Sequence, residues 1–151
     1  MCKIYIDFDG VLVDTPRLIV NELKDNGYSV EACQKFPWNS FLQKCNEIEN
    51  NISYIQEISR KYEVIIITHV YSDNERLEKE KYIFEKLSGI KLVTVPYNIA
   101  KSDVVDAKKN ILIDDYKNNI DTWVESGGIG ICVTDEKRID ILLAQYLVVS
   151  N

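Results

Sequence analysis

The sequence predicts an α/β protein: a three-layer, Rossmann-like parallel sheet with helices on both faces and a small cap insertion. Three observations predict it. Short apolar runs alternate with segments of helical periodicity from one end to the other, the pattern of strands joined by crossover helices. The run from Glu63 to Thr68 is continuous and β-branched, as in a strand covered on both faces. Two apolar runs end in closely spaced aspartates, and open parallel sheets place their ligands at that carboxyl edge.

Taken in order, residues 3–9 form the first strand, ending in Asp-Phe-Asp and followed by Gly10. Thr15 and Pro16 are an N-cap and first-turn pair. The helix they open carries Leu18, Ile19 and Leu23 and is stopped by Gly27. Residues 28–45 break the alternation, with Pro37 among three aromatics, Phe36, Trp38 and Phe41. They are expected to make a short irregular or helical insertion over the carboxyl edge of the sheet. A helix over 46–61 carries Ile48, Ile52 and Ile55, and the strand 63–68 follows. A charged amphipathic helix runs from Asp73 to Ser88, closed by Gly89, and Lys91 to Val95 is the next strand. Ser102 caps a short helix near Lys101, and Asn110 to Asp114 is a further buried strand. Lys117 to Ser126 is helical up to Gly127 and Gly128, and Ile129 to Val133 is a strand. Thr134 caps a last helix carrying Ile139, Leu142, Leu143 and Tyr146.

A length of 151 residues suits one domain, residues 1–151, with the cap inserted at about 28–45. The composition, 46% apolar and 28% charged, is that of a soluble globular chain. No apolar run approaches the roughly 20 residues that span a bilayer. The N-terminus lacks the pattern of a signal peptide, so a cytoplasmic protein without membrane partners is expected. Four scattered cysteines without a C-x-x-C spacing, and a single histidine, argue against zinc. The net charge of −6, with no basic patch, argues against a nucleic-acid backbone as partner.

The chemistry is concentrated in Asp7 to Thr15, Asp-Phe-Asp-Gly-Val-Leu-Val-Asp-Thr. Asp7 and Asp9 at a strand end repel each other unless a cation or proton lies between them. Asp114 and Asp115 end a second strand in the same way, so the fold gathers four carboxylates. A hard, oxygen-loving cation resolves their repulsion, and Mg²⁺ is the usual one beside phosphate. The opening nonapeptide resembles the first motif of the haloacid dehalogenase-like (HAD) superfamily of Asp-based phosphatases. Thr68, Lys101 and the Asp114–Asp115 pair match the remaining three motifs in their fixed order. Lys108 and Lys109, directly before the strand, are rivals of Lys101 that read better as solvated charges. Trp123, Gly127, Gly128 and the strand after them extend the resemblance to the 5′(3′)-deoxyribonucleotidase family.

The resemblance implies roles. Asp7 is the nucleophile, forming an aspartyl-phosphate, and Asp9 the general acid and then base. Mg²⁺ is held by the Asp7 carboxylate, the Asp9 backbone carbonyl and Asp114. Asp115 holds a water on the metal or orients Lys101. Thr68, Lys101 and the backbone N–H groups of Phe8 to Gly10 receive the phosphoryl oxygens. His69 can reach substrate from its strand end. Trp38 either stacks on a base or, with Phe36 and Phe41, anchors the cap.

The function expected is a Mg²⁺-dependent phosphomonoester hydrolase acting on a small phosphorylated substrate, a nucleoside monophosphate. Two departures from the deoxyribonucleotidase pattern, the reduced cap and His69 in place of a small residue, keep a sugar phosphate or other metabolite as the alternative. A silent HAD-like binding module is the non-enzymatic one. A signalling receiver is excluded by motif order, because its acidic pair precedes a single mid-chain acceptor aspartate. A small cap also leaves room for a partner subunit to close the site, as in a homodimer.

Overall fold

The computed structural model describes residues 2–24 and 27–147. Five strands, β1 (Ile4–Ile6), β2 (Val64–Val70), β3 (Lys91–Pro96), β4 (Ile111–Asp114) and β5 (Ile129–Cys132), form one all-parallel sheet in the order β3-β2-β1-β4-β5. The first strand is therefore central, with Ile6 paired to Ile66 on one side and to Ile113 on the other. Chain order runs outward in both directions from β1, which makes the β1–β4 junction the topological switch point. At such a point the crossovers diverge and leave a crevice beyond the strand ends.

Alternation along the strands divides the apolar side chains between two cores. Ile4, Ile6, Val64, Ile66, Ile111 and Ile113 face one of them, together with Ile52, Ile55, Ile83, Ile139 and Leu143 from the helices. Tyr5, Ile65, Ile67, Val95 and Leu112 face the other, with Ile120 and Trp123. Both faces are covered, the condition under which parallel strands persist. Trp123 is fully buried and donates from Nε1 to the Asn110 carbonyl at 3.0 Å. Its indole also lies where a Cβ on Gly128 would fall, which fixes that position as glycine.

Among the described residues, eight helices, α1 (Thr15–Leu23), α2 (Val30–Gln34), α3 (Trp38–Phe41), α4 (Asn51–Ile58), α5 (Asp73–Lys86), α6 (Lys101–Val104), α7 (Lys117–Glu125) and α8 (Ile139–Leu147), connect and flank the strands. Several helix starts differ from expectation. Asp14, not Thr15, precedes the first helical residue, and the Thr15 hydroxyl donates to Asp9 instead of capping. Ala100 occupies the cap position before α6, and Ser102 lies inside the helix. Thr134 stands five residues before α8, whose first amide, Ile139 N–H, donates to the side-chain oxygen of Asn51. Ser72 does cap α5, accepting from Glu75 N–H at 3.1 Å. Strand β2 runs through His69 to Val70, beyond the expected end at Thr68. Helix α1 ends at Leu23, and the expected continuation to Asn26 lies outside the described residues.

The segment 28–45 is helical, as one of the two expected forms. It consists of α2, α3 and a 3₁₀ turn at Leu42–Lys44. Phe36, Trp38 and Phe41 are buried and meet edge to face in all three pairings, with centroids 4.7–5.6 Å apart. Such contacts add to area burial and hold the segment on the main body. Among the described residues, no helix is long and apolar enough to cross a membrane.

Candidate active site

Asp7 follows β1 directly, and its amide donates to the Ile113 carbonyl of β4 at 2.9 Å. This bond ties the first acidic position to the neighbouring strand, which itself ends in Asp114. The next residues wind into a tight turn, with Leu12 N–H donating to the Phe8 carbonyl and Gly10 N–H to the Val13 carbonyl. Gly10 sits at φ +77°, a region that disfavours side chains. A Cβ there would lie 2.0 Å from Asp115 Oδ2. The glycine thus lets the two acidic loops close on each other.

Asp7, Asp114 and Asp115 can each bring a carboxylate oxygen within 4.8 Å of the others. Asp7 and Asp114 are buried. Lys101, also buried, reaches both, with Nζ 2.9 Å from Asp7 Oδ1 and 2.6 Å from Asp114 Oδ2. Lys101 thus bridges the two buried aspartates, and its hydrogen bonds go to them and not to Asp115. Asp114 is further held by Tyr116 N–H at 2.9 Å and by Asn119 Nδ2 at 3.0 Å.

By composition the cluster could hold a cation. Three carboxylates share the single ammonium of Lys101, leaving negative charge in a poorly solvated crevice. Burial, then Asp114, pushes the Asp7 carboxyl well above the usual carboxylate range. Burial and Asp114 also push Asp115 up to about 6, opposed by its hydrogen bond to Asp7. An all-oxygen donor set of this kind fits Mg²⁺ or a similar hard ion. Sulfur and imidazole ligands are absent from the cluster.

Asp9 belongs to a second group. Its Oδ1 accepts from the Thr15 hydroxyl, and its Oδ2 lies 2.6 Å from Lys79 Nζ and 3.4 Å from the Thr68 hydroxyl. The two aspartates of the opening motif therefore have different partners. The Asp9 carboxylate stands outside the three-carboxylate cluster, leaving its backbone carbonyl as the atom the sequence expectation assigned to a metal. Thr68 is fully buried and accepts from Lys79 at 2.9 Å. Its hydroxyl is thus engaged with the lysine and Asp9.

His69 hydrogen-bonds through Nε2 to the Ile99 carbonyl at 2.8 Å, and burial lowers its pKa. It lines a cavity of about 420 Å³ that also reaches Asp7, Asp9 and Asp115. Opposite the carboxylates the cavity wall is apolar and aromatic, with Ile19, Leu23, Phe36, Trp38 and Tyr71. Trp38 is buried in the aromatic cluster, as an anchor of the cap would be, and it also lines this cavity. Phe8 is fully buried against Tyr82, with ring centroids 5.3 Å apart, so only its backbone is available to a ligand.

Sequence reasoning missed Lys79, Glu75, Thr15 and Asn119. Lys79 and Glu75 lie in a helix so rich in charge that both read as solvated. The signal was present in the spacing: Glu75, Lys79 and Ile83 recur every four residues and form the buried stripe of α5. Such a stripe holding complementary charges marks an ion pair turned inward. Thr15 was assigned to a cap, and nothing local distinguished Asn119 from its neighbour Asn118.

No protein-family model matches the chain, and no curated protein matches it.

Proposed function

We propose that this protein is a Mg²⁺-dependent phosphomonoester hydrolase of the HAD type, working through an aspartyl-phosphate on Asp7. One observation carries the reading: Asp7 lies at the sheet's switch point against Lys101 and two further carboxylates, while Asp9 is held apart by Thr15 and Lys79. That division matches a nucleophile at a cation site beside a separate acid–base group.

Asp7, Asp114 and the Asp9 backbone carbonyl would hold Mg²⁺, with Asp115 beside them. The ion supplies charge neutralisation and positioning for the phosphoryl group. An Asp7 carboxylate oxygen attacks phosphorus, and the bond from phosphorus to the ester oxygen breaks. The departing oxygen keeps the electron pair and takes a proton from the Asp9 carboxyl. Asp9, now a carboxylate, removes a proton from water. The resulting hydroxide attacks phosphorus, which breaks the bond to Asp7 and releases inorganic phosphate. Lys101 offsets negative charge on the nucleophile and on the phosphoryl oxygens.

The apolar, aromatic wall supports a substrate whose leaving group carries a flat or apolar surface, and favours a nucleoside monophosphate over a sugar phosphate. The test is a screen of phosphomonoesters, including deoxynucleoside 5′- and 3′-monophosphates, with Mg²⁺ and with EDTA. Mg²⁺-dependent phosphate release that vanishes in Asp7→Asn is the expected result. Absence of hydrolysis throughout, or full activity in folded Asp7→Asn, would overturn the reading.

A further inference from the structure

We propose that Lys79 is the positioning residue for Asp9, fixing that carboxyl for both proton transfers; this rests on the phosphatase reading above. Lys79 comes from α5, far from either acidic motif in sequence, and its side chain is fully buried. Its Nζ lies 2.6 Å from Asp9 Oδ2, 2.6 Å from Glu75 Oε2 and 2.9 Å from Thr68 Oγ1. The His69 carbonyl lies 3.3 Å away as a fourth acceptor, so the three N–H donors of the ammonium are fully engaged.

The lysine is itself locked. Glu75 accepts from Tyr71 N–H through its other oxygen at 2.8 Å. The ammonium also sits over the rings of Trp38 and Phe8, 4.9 and 5.2 Å from their centroids. On the far side of Asp9, the Thr15 hydroxyl holds the remaining oxygen. Asp9 is 28% exposed at the cavity edge, where an unheld carboxylate would rotate among staggered rotamers. Two buried opposite charges are often matched or bettered in stability by apolar side chains of similar volume. The ion pair is therefore better explained by what it does to Asp9 than by its contribution to folding.

The consequence separates the chemical steps. Attack by Asp7 does not involve Asp9 when the departing oxygen needs no proton, whereas water attack always does. Lys79→Met should be compared with wild type by rapid quench, using p-nitrophenyl phosphate and benzyl phosphate with Mg²⁺. Nitrophenolate leaves without a proton, so the variant should release one equivalent per site at nearly the wild-type rate. Turnover then falls about 100-fold, the scale of loss from a misplaced catalytic group. Benzyl phosphate, whose alkoxide needs the proton, should show the full loss with no burst and little change in KM. The double variant Glu75→Gln, Lys79→Met leaves no buried charge orphaned and carries the same test if the single variant does not fold. Methylammonium should restore turnover to Lys79→Ala. Equal slowing of both steps, or unchanged turnover on both esters, would overturn the proposal. A wild type inactive on both esters would overturn the phosphatase reading and this proposal with it.

Discussion

Gly10 shows how little tolerance the site has at single positions. Its φ of +77° disfavours any side chain, and a Cβ would fall onto Asp115 Oδ2. Gly10→Ala should therefore cost about 1–2 kcal/mol from the backbone alone, read as a lower midpoint in urea unfolding. Because relief requires Asp115 to move away from Asp7, phosphatase activity should fall more than stability does. Retained activity would show that Asp115 has room to adjust. Asp7→Asn makes the complementary case, since it keeps the shape and removes the carboxylate proposed as nucleophile. The variant should give a normal far-UV spectrum and no detectable hydrolysis. The acidic residues were readable in sequence because each pair ends an apolar strand. Lys79 was harder to read, because its only sequence signal is the four-residue spacing with Glu75 and Ile83, in a helix whose many other charges face solvent.

Among the elements, the junctions between helices depend on Asn51. Its Nδ2 donates to the Val11 and Lys137 carbonyls, each at 2.9 Å, and its Oδ1 accepts from Ile139 N–H at 3.1 Å. One side chain thus joins the motif loop, the start of α4 and the start of α8. Asn51→Ala strands these buried groups, so a loss of about 3 kcal/mol is expected in urea unfolding. A change within 0.5 kcal/mol, the range of surface substitutions, would show that water replaces the amide. The expectation that Thr134 caps this helix failed for a physical reason: the helix is capped from a segment distant in sequence. The later strands, by contrast, were legible to within two residues, because apolar runs covered on both faces have clear ends. Strand β1 spans only Ile4–Ile6 of the expected 3–9, because the chain turns at the acidic motif. In the cap segment, Trp38→Ala should cost about 3–5 kcal/mol, as for other large aromatic truncations. Should stability hold while substrate selectivity changes, Trp38 would be a recognition residue rather than an anchor.

On the scale of the whole molecule, the acidic cluster couples stability to pH and, if it holds the proposed Mg²⁺, to divalent ions. Asp7 and Asp115 have folded-state pKa values above the ordinary 3.8, with Asp115 at about 6. A carboxyl raised in this way favours the folded state at low pH, below the unfolded value. That contribution is lost as pH rises through the folded one. In EDTA the Tm should accordingly fall between about pH 4 and pH 7 on account of these groups. Added Mg²⁺ should raise the Tm most at neutral pH, because an ion bound only by the folded state stabilises it by mass action. Calorimetry across that range checks both signs. A Tm that Mg²⁺ leaves unchanged at pH 7 would count against a cation at this cluster.

The central place of β1 has a consequence for how the chain reaches its structure. Strand β1 has to wait for both of its neighbours: one begins at Val64 and the other at Ile111. Parallel partners cannot be joined by a tight hairpin, and pairings so distant in sequence close slowly. Until then, Ile4 and Ile6 are exposed to any other chain with an open edge. The same delay applies to Asp7 and Lys101, which meet across 94 residues. During refolding, regain of Mg²⁺ affinity should therefore coincide with the slowest kinetic phase.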